Sequence, residues 1–229
     1  MNRVIFWLMW VGFMTYAFWL APPDQPDTFA TIQKLVTGEW QGINPLIVSL
    51  FNILGIVPLI YASLLLIDGR MQKVPASLFV AGSFGVGAFA LLPYFALRQP
   101  NDSFAGAKNG LLKWLDSRWN GVAIALLLIP FVAYGAIAGD WSDFAYQWQT
   151  SRFVHVMSLD FCMLCLIFPA ILGDDMARRG LRDRRLFWLV ALIPLFGSVG
   201  YLVWRPSIQE DGKEKKEEKK KKREEMKKE

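Results

Sequence analysis

One carboxylate lies inside a long apolar run: Asp160, in FVHVMSLDFCMLCLIFPAILG. An ionised carboxylate near the middle of a bilayer costs roughly 2.5–3.5 kcal/mol on insertion scales. It must therefore face a protein interior, find donors, or stay protonated. Asn52, Ser49, Tyr61 and Tyr94 in neighbouring apolar runs are candidate partners. His155, the sole histidine, lies five residues before Asp160. Five helical steps turn about 500°, so the two side chains point about 140° apart and do not form one constellation. His155 shares its stripe with Ser158 and Cys162 instead. Two readings stay open. Asp160 is a proton or cation site with His155 at its mouth, or Asp160 hydrogen-bonds helix to helix and His155 is an interfacial side chain.

Other reactive groups are sparse. Cys162 and Cys165 form a C-x-x-C on one helix face. Read chemically they are a redox pair or half a metal site; read structurally they are two small apolar residues. DGR at 68–70 and GDDMARRG at 173–180 bring acids and arginines together at the ends of apolar runs. The guanidinium fork suits phosphate, so Arg178, Arg179 and Arg182 are candidate lipid-phosphate contacts; ion pairing within the loop is the alternative. The sequence carries no hydrolase elbow, phosphate-binding glycine loop or metalloprotease helix, and one histidine is too few for bis-His haem. No catalytic residue, cofactor or metal is expected.

Six apolar runs must position these groups: Val4–Ala21, Pro45–Ile67, Ser77–Leu97, Asn120–Gly139, Phe153–Gly173 and Leu186–Trp204. A spanning helix needs about 20 such residues. The expected fold is all-α, a polytopic membrane helix bundle with about six transmembrane helices. Residues 1–204 form the membrane domain and residues 205–229 a charged tail, disordered or a lone helix. The chain has 229 residues, 54% of them hydrophobic, and a mean hydropathy of +0.29 that the tail dilutes. The tail holds 11 Lys/Arg and 8 Asp/Glu, so the pI of about 9.2 does not argue for nucleic-acid binding. Trp19, Pro22 and Pro23 around Ala21 suit signal cleavage badly, so the first run is read as a retained span.

Two connections look like interfacial helices, one with Phe29, Ile32 and Val36 on a face, the other with Leu111, Leu112, Leu115 and Trp119. Four small-x-x-x-small pairs suit close helix packing, inside the bundle or between subunits: Gly135 with Gly139, Ala81 with Gly85, Ser83 with Gly87, and Gly121 with Ala125. Pro58, Pro93, Pro130, Pro169 and Pro194 predict kinks. No internal repeat is visible. Six alternating spans place the Asp68 loop and the Asp174–Asp175 loop on opposite faces. They also give contradictory charge: ten basic residues mark one face, and the basic tail marks the other. A re-entrant hairpin at Pro194, Gly197 and Gly200 would reconcile the two, but a true span is preferred.

The strings FNILGIVPLIYASLLLIDGR, FALLPYFALR, DSRWNG, TSRFVHVMSLDF and GDDMARRG, in that order, resemble a family of small multi-span membrane proteins of cyanobacteria, with similar proteins in plastids of plants and algae. The resemblance runs from about Phe6 to Pro206. It implies a multi-pass protein of a thylakoid or plasma membrane, and supplies no activity or catalytic residues. The segment ALIPLFGSVGYLVWRP also resembles the membrane hairpin that precedes some phospholipase D-type enzymes, without their catalytic domain. The leading expectation is a non-enzymatic membrane protein that assists or scaffolds a membrane complex, with membrane lipids and other membrane proteins as partners. The alternatives are a small proton- or ion-coupled transporter centred on Asp160 and a lipid-modifying enzyme.

Overall fold

The computed structural model describes residues 2–208, and among them every regular element is helical. Four helices are long and apolar enough to cross a membrane. The first is α1 (Arg3–Thr15), which continues through a π-helical turn (Tyr16–Leu20). The second is α3 (Pro45–Asp68), started by the Asn44 cap and Pro45 in the first turn. The third is α7 (Arg118–Ala138), and the fourth is α9 (Arg152–Ile167) running on through α10 (Pro169–Arg178). Pro58 and Pro130 lie inside continuous helices, whereas Pro169 opens α10, where a missing N–H costs nothing.

The third and sixth apolar runs are not single rods. Each folds back on itself. α4 (Ala76–Val86) and α5 (Ala88–Leu97) meet at Gly87, whose φ of 49° and ψ of −124° break the helix. A Cβ placed on Gly82 of α4 would lie 3.2 Å from the Ala90 Cβ of α5, so the two helices run side by side. Gln72 and Gln99 close the open end of this hairpin with two hydrogen bonds of 2.7 and 2.8 Å. The sixth run makes a second hairpin from α11 (Arg184–Leu192) and α12 (Phe196–Trp204). Its tip is Pro194–Leu195, and Gly197 packs directly on the Val190 carbonyl. The cause is local: nine to eleven residues of helix reach about 14–16 Å, half a hydrocarbon core, before a glycine or proline turns the chain.

The hairpins change the topology. Four long helices and two hairpins bring the ends of α3, α5, α10 and α12 together at one end of the bundle, here called the clamp end. The Asp68 and Asp174–Asp175 loops therefore meet, where simple alternation separated them. The amphipathic helices α2 (Thr28–Thr37) and α8 (Trp141–Thr150) lie at the opposite end. α2 packs through Leu35, leaving Phe29 and Val36 exposed, while α6 (Gly110–Leu115) packs on the clamp end through Leu112 and Leu115.

A repeat emerges from this order. Each half has a long helix, a short helix at the far end, a second long helix and a hairpin. α1 packs on α5, and α7 packs on α12. Asp68 precedes Tyr94 by 26 residues and Arg98 by 30; Asp175 has the same two spacings to Tyr201 and Arg205. Both halves run in the same direction. The sequence hides the repeat because almost nothing between these anchor residues is shared.

Candidate functional site

Asp160 reaches the tip of the first hairpin. It projects from α9, is 8% exposed, and accepts a 2.7 Å hydrogen bond from the Ala88 N–H at the start of α5. The first N–H groups of a helix lack partners, and its N-terminal dipole end favours an anion. The carboxylate thus satisfies a buried donor and sits at the positive end of α5. Gly87 makes the approach possible, since a Cβ there would overlap the carboxylate. α1 secures the same tip: Trp10 donates to the Phe89 carbonyl at 2.9 Å, and Phe13 stacks on Phe89.

The clamp end holds the largest polar cluster. Asp68, fully buried, accepts from Arg98 at 2.7 and 2.9 Å, from Arg178 at 2.8 Å and from Tyr94 at 3.0 Å. Asp175, also fully buried, accepts from Arg179 at 2.8 Å, Arg205 at 3.1 Å and Tyr201 at 2.7 Å. Arg178 bridges the two, with its other terminal nitrogen 3.7 Å from Asp175. Asp116 ties in Lys108 and Arg179, each at 2.6 Å, and Asp174 pairs with Arg98. Burial opposes the charge on Arg98, but the bonds to Asp68 and Asp174 outweigh it and hold the guanidinium above the usual arginine range. The same balance, with Asp175 and Asp116, raises Arg179.

This cluster decides the fate of several sequence candidates. The side chains of Arg178 and Arg179 have no exposed area and are engaged by aspartates, which removes them from reach of a lipid phosphate. Arg182 is exposed. The structured region also runs on past Trp204. Arg205 donates to Asp175 and to the Ser63 and Leu115 carbonyls, and the Ile208 N–H donates to Asp116. The remainder of the charged tail lies outside the described residues.

His155 belongs to a third place, at the opposite end of the bundle. Its Nδ1 lies 2.8 Å from the Trp148 carbonyl and its Nε2 lies 2.9 Å from the Tyr16 hydroxyl. A carbonyl can only accept, so Nδ1 donates to Trp148, while Nε2 pairs with the Tyr16 hydroxyl. Asp160 and His155 are thus separate, as their angular offset required. Asn52 is satisfied within α3 by the Val48 carbonyl at 2.8 Å. Cys162 is exposed on the outside of α9, and Cys165 lines a small apolar groove beside the second hairpin tip, with Tyr61, Leu164 and Ser198. That groove encloses about 20 Å³, room for about one water. Among the described residues no cluster of three metal-ligating side chains occurs.

Sequence reasoning found Asp160 but not its partner, the backbone of a broken helix. It missed the clamp, although the signal was present: YFALR and YLVWR repeat a Tyr-x-x-x-Arg, each 26 residues after an aspartate. No family model, curated protein or solved structure matches the chain.

Proposed function

We propose that this chain is a multi-pass membrane protein that assists or scaffolds a larger membrane complex, in the thylakoid or plasma membrane that the sequence resemblance implies. One observation carries the reading. Of the four small-residue pairs, three face inward: Gly121 lies against Leu202, Gly135 against Ser49 and Gly139 against Leu46, while Gly87 meets Asp160. The fourth, Ala81 with Gly85, is exposed on the outside of α4, continuous with exposed Ser77, and nothing lies within 4 Å of where a Gly85 Cβ would be. In lipid, close approach through such faces is a main source of helix association. The buried polar groups meanwhile hold the fold: Asp160 caps a hairpin and the clamp aspartates pair with arginines.

The test is native electrophoresis of membranes solubilised in mild detergent. The wild-type chain should migrate in an assembly larger than a monomer with its detergent. Ala81→Phe with Gly85→Leu should release the monomer while leaving the melting temperature of the purified protein unchanged. A wild-type protein that is already monomeric would overturn the proposal.

A specific observation favours a second reading, proton or cation coupling at Asp160. Broken helices stand in matching positions of the two halves, at Gly87 and at Pro194–Leu195, and an intramembrane carboxylate meets one of them. Repeat interfaces with discontinuous helices are where many transporters bind their ions. Proton or cation flux into protein-containing liposomes, lost in Asp160→Asn, would replace the first reading with this one. The lipid-enzyme reading drew on Asp68, Asp174 and Asp175; they do cluster, but around arginines.

A further inference from the structure

We propose that the clamp end faces the side from which the chain is inserted, and that its exposed arginines contact the headgroups of anionic lipids there. The inference rests on the membrane placement of the bundle, and not on the scaffolding role. Refolding two apolar runs into hairpins moves the charges between positions 98 and 185 to the other end. Thirteen of the fifteen Lys and Arg residues between positions 2 and 208 fall at the clamp end. Only Lys34 and Arg152 fall at the opposite end, beside five carboxylates that include Asp24, Glu39 and Asp140. The contradiction produced by six alternating spans disappears. Short loops rich in Lys and Arg stay on the side of synthesis.

The rim itself is distinct from the buried clamp. Five of the clamp-end cations are spent on internal aspartates: Arg98, Lys108, Arg178, Arg179 and Arg205. Eight others are exposed, among them Arg70, Lys73, Arg118 and the trio Arg182, Arg184 and Arg185, against the exposed acids Asp102 and Asp183. Arg118 lies 5.6 Å from the centre of the exposed Trp119 ring. A tryptophan beside a cation is the usual furniture of a headgroup layer. The trio flanks the Asp183 cap of α11, so it stands at the mouth of the second hairpin beside exposed Trp188 and Leu189. A positive rim over an apolar belt matches an anionic phospholipid, which presents a phosphate above acyl chains.

Two measurements on the full-length protein test this. In sealed vesicles, Ser207→Cys and Gln149→Cys report the clamp end and the opposite end to a membrane-impermeant maleimide. Ser207→Cys should label about tenfold better when the side of synthesis faces out, and Gln149→Cys should show the reverse. The opposite pattern overturns the sidedness while leaving a membrane-spanning bundle. Equal labelling of both sites in both vesicle orientations overturns the crossing itself, and the proposal with it. For the headgroup, delipidated protein is offered equal phosphatidylglycerol and phosphatidylcholine, and retained lipid is read by native mass spectrometry. Phosphatidylglycerol should be retained about fivefold over phosphatidylcholine. Substituting Arg182, Arg184 and Arg185 by Gln should bring the ratio towards one, with the melting temperature in neutral detergent unchanged. No preference in the wild type, a preference that survives the triple substitution, or displacement by equimolar inorganic phosphate would each overturn the headgroup assignment.

Discussion

The two hairpins share a plan and differ at the tip. At their roots they are built alike: Tyr94 and Arg98 close on Asp68, and Tyr201 and Arg205 close on Asp175. At the first tip, a glycine takes the positive φ and a carboxylate from the other half caps the new helix. At the second, Leu195 takes φ 61° and ψ −64°, in a three-residue γ-turn closed by a 2.7 Å bond from Phe196 N–H to the Pro194 carbonyl. That conformation is strained for a residue with a side chain. α12 has no side-chain cap, and Leu192, Ile193 and Phe196 around the tip are exposed. Hydrogen bonds tie the first hairpin to the bundle at both ends and the second only at its root; the second tip rests on apolar contacts alone. The two halves share the anchor and differ at the tips.

The roots carry the largest expected effect. Asp175→Leu leaves Arg179 and Arg205 buried without their main partner, and Asp68→Leu does the same to Arg98 and Arg178. Breaking a buried pair from one side costs about 3–5 kcal/mol. Unfolding in detergent should show losses of that size for both variants. A small loss in only one would show that the two clamps are not equivalent.

The tips come next. Gly87→Ala puts a methyl group into the Asp160 carboxylate and a side chain at positive φ, and should cost about 2–3 kcal/mol. Leu195→Gly relieves strain while losing a half-buried side chain, so stability should stay within about 1 kcal/mol of wild type. Equal losses in the same unfolding assay would remove the distinction between a sealed tip and a strained one.

The cap sharpens it further. Asp160→Asn keeps an oxygen for the Ala88 N–H and should be tolerated. Asp160→Leu leaves that donor unpaired and should cost about 1–2 kcal/mol. A stable Asp160→Asn protein that fails in growth complementation would show that the charge itself is needed, and would favour proton or cation handling.

The smallest effect is expected at the far end. Asp140 caps α8 through the Ser142 and Asp143 N–H groups, whereas Asp27 gives α2 no such bond. The Asp143 N–H, then the Ser142 hydroxyl, hold the Asp140 pKa below the usual aspartate value. A lowered folded-state pKa means that this contribution is present above the unfolded pKa and is lost as pH falls through the folded one. Asp140→Ala should lower the melting temperature slightly at neutral pH and make no difference in strong acid. Asp27→Ala should do neither.

The helical class was legible because apolar runs of spanning length leave few alternatives. Counting crossings was not, because a hairpin and a spanning helix bury the same number of apolar residues. Gly87 and Pro194 marked the reversals, but Pro58 and Pro130 sit in unbroken helices, so a breaker residue alone does not distinguish a kink from a turn. Asp160 stood out because a charge in an apolar run demands a donor. Its donor was a backbone N–H, which any residue carries, so no side-chain pattern could announce it. The clamp spacing was readable, but only to a reader who already expected two aligned halves.

The direction of the two halves also bears on how such a chain could arise. Each half has two helices long enough to cross a membrane and one hairpin that returns to its own side, so it starts and finishes at the same end of the bundle. Two copies can therefore be joined tail to head without turning either over, through a connection no longer than residues 99–117. A half with an odd number of crossings would have needed an extra helix, or an inverted partner, before fusion could give a continuous chain.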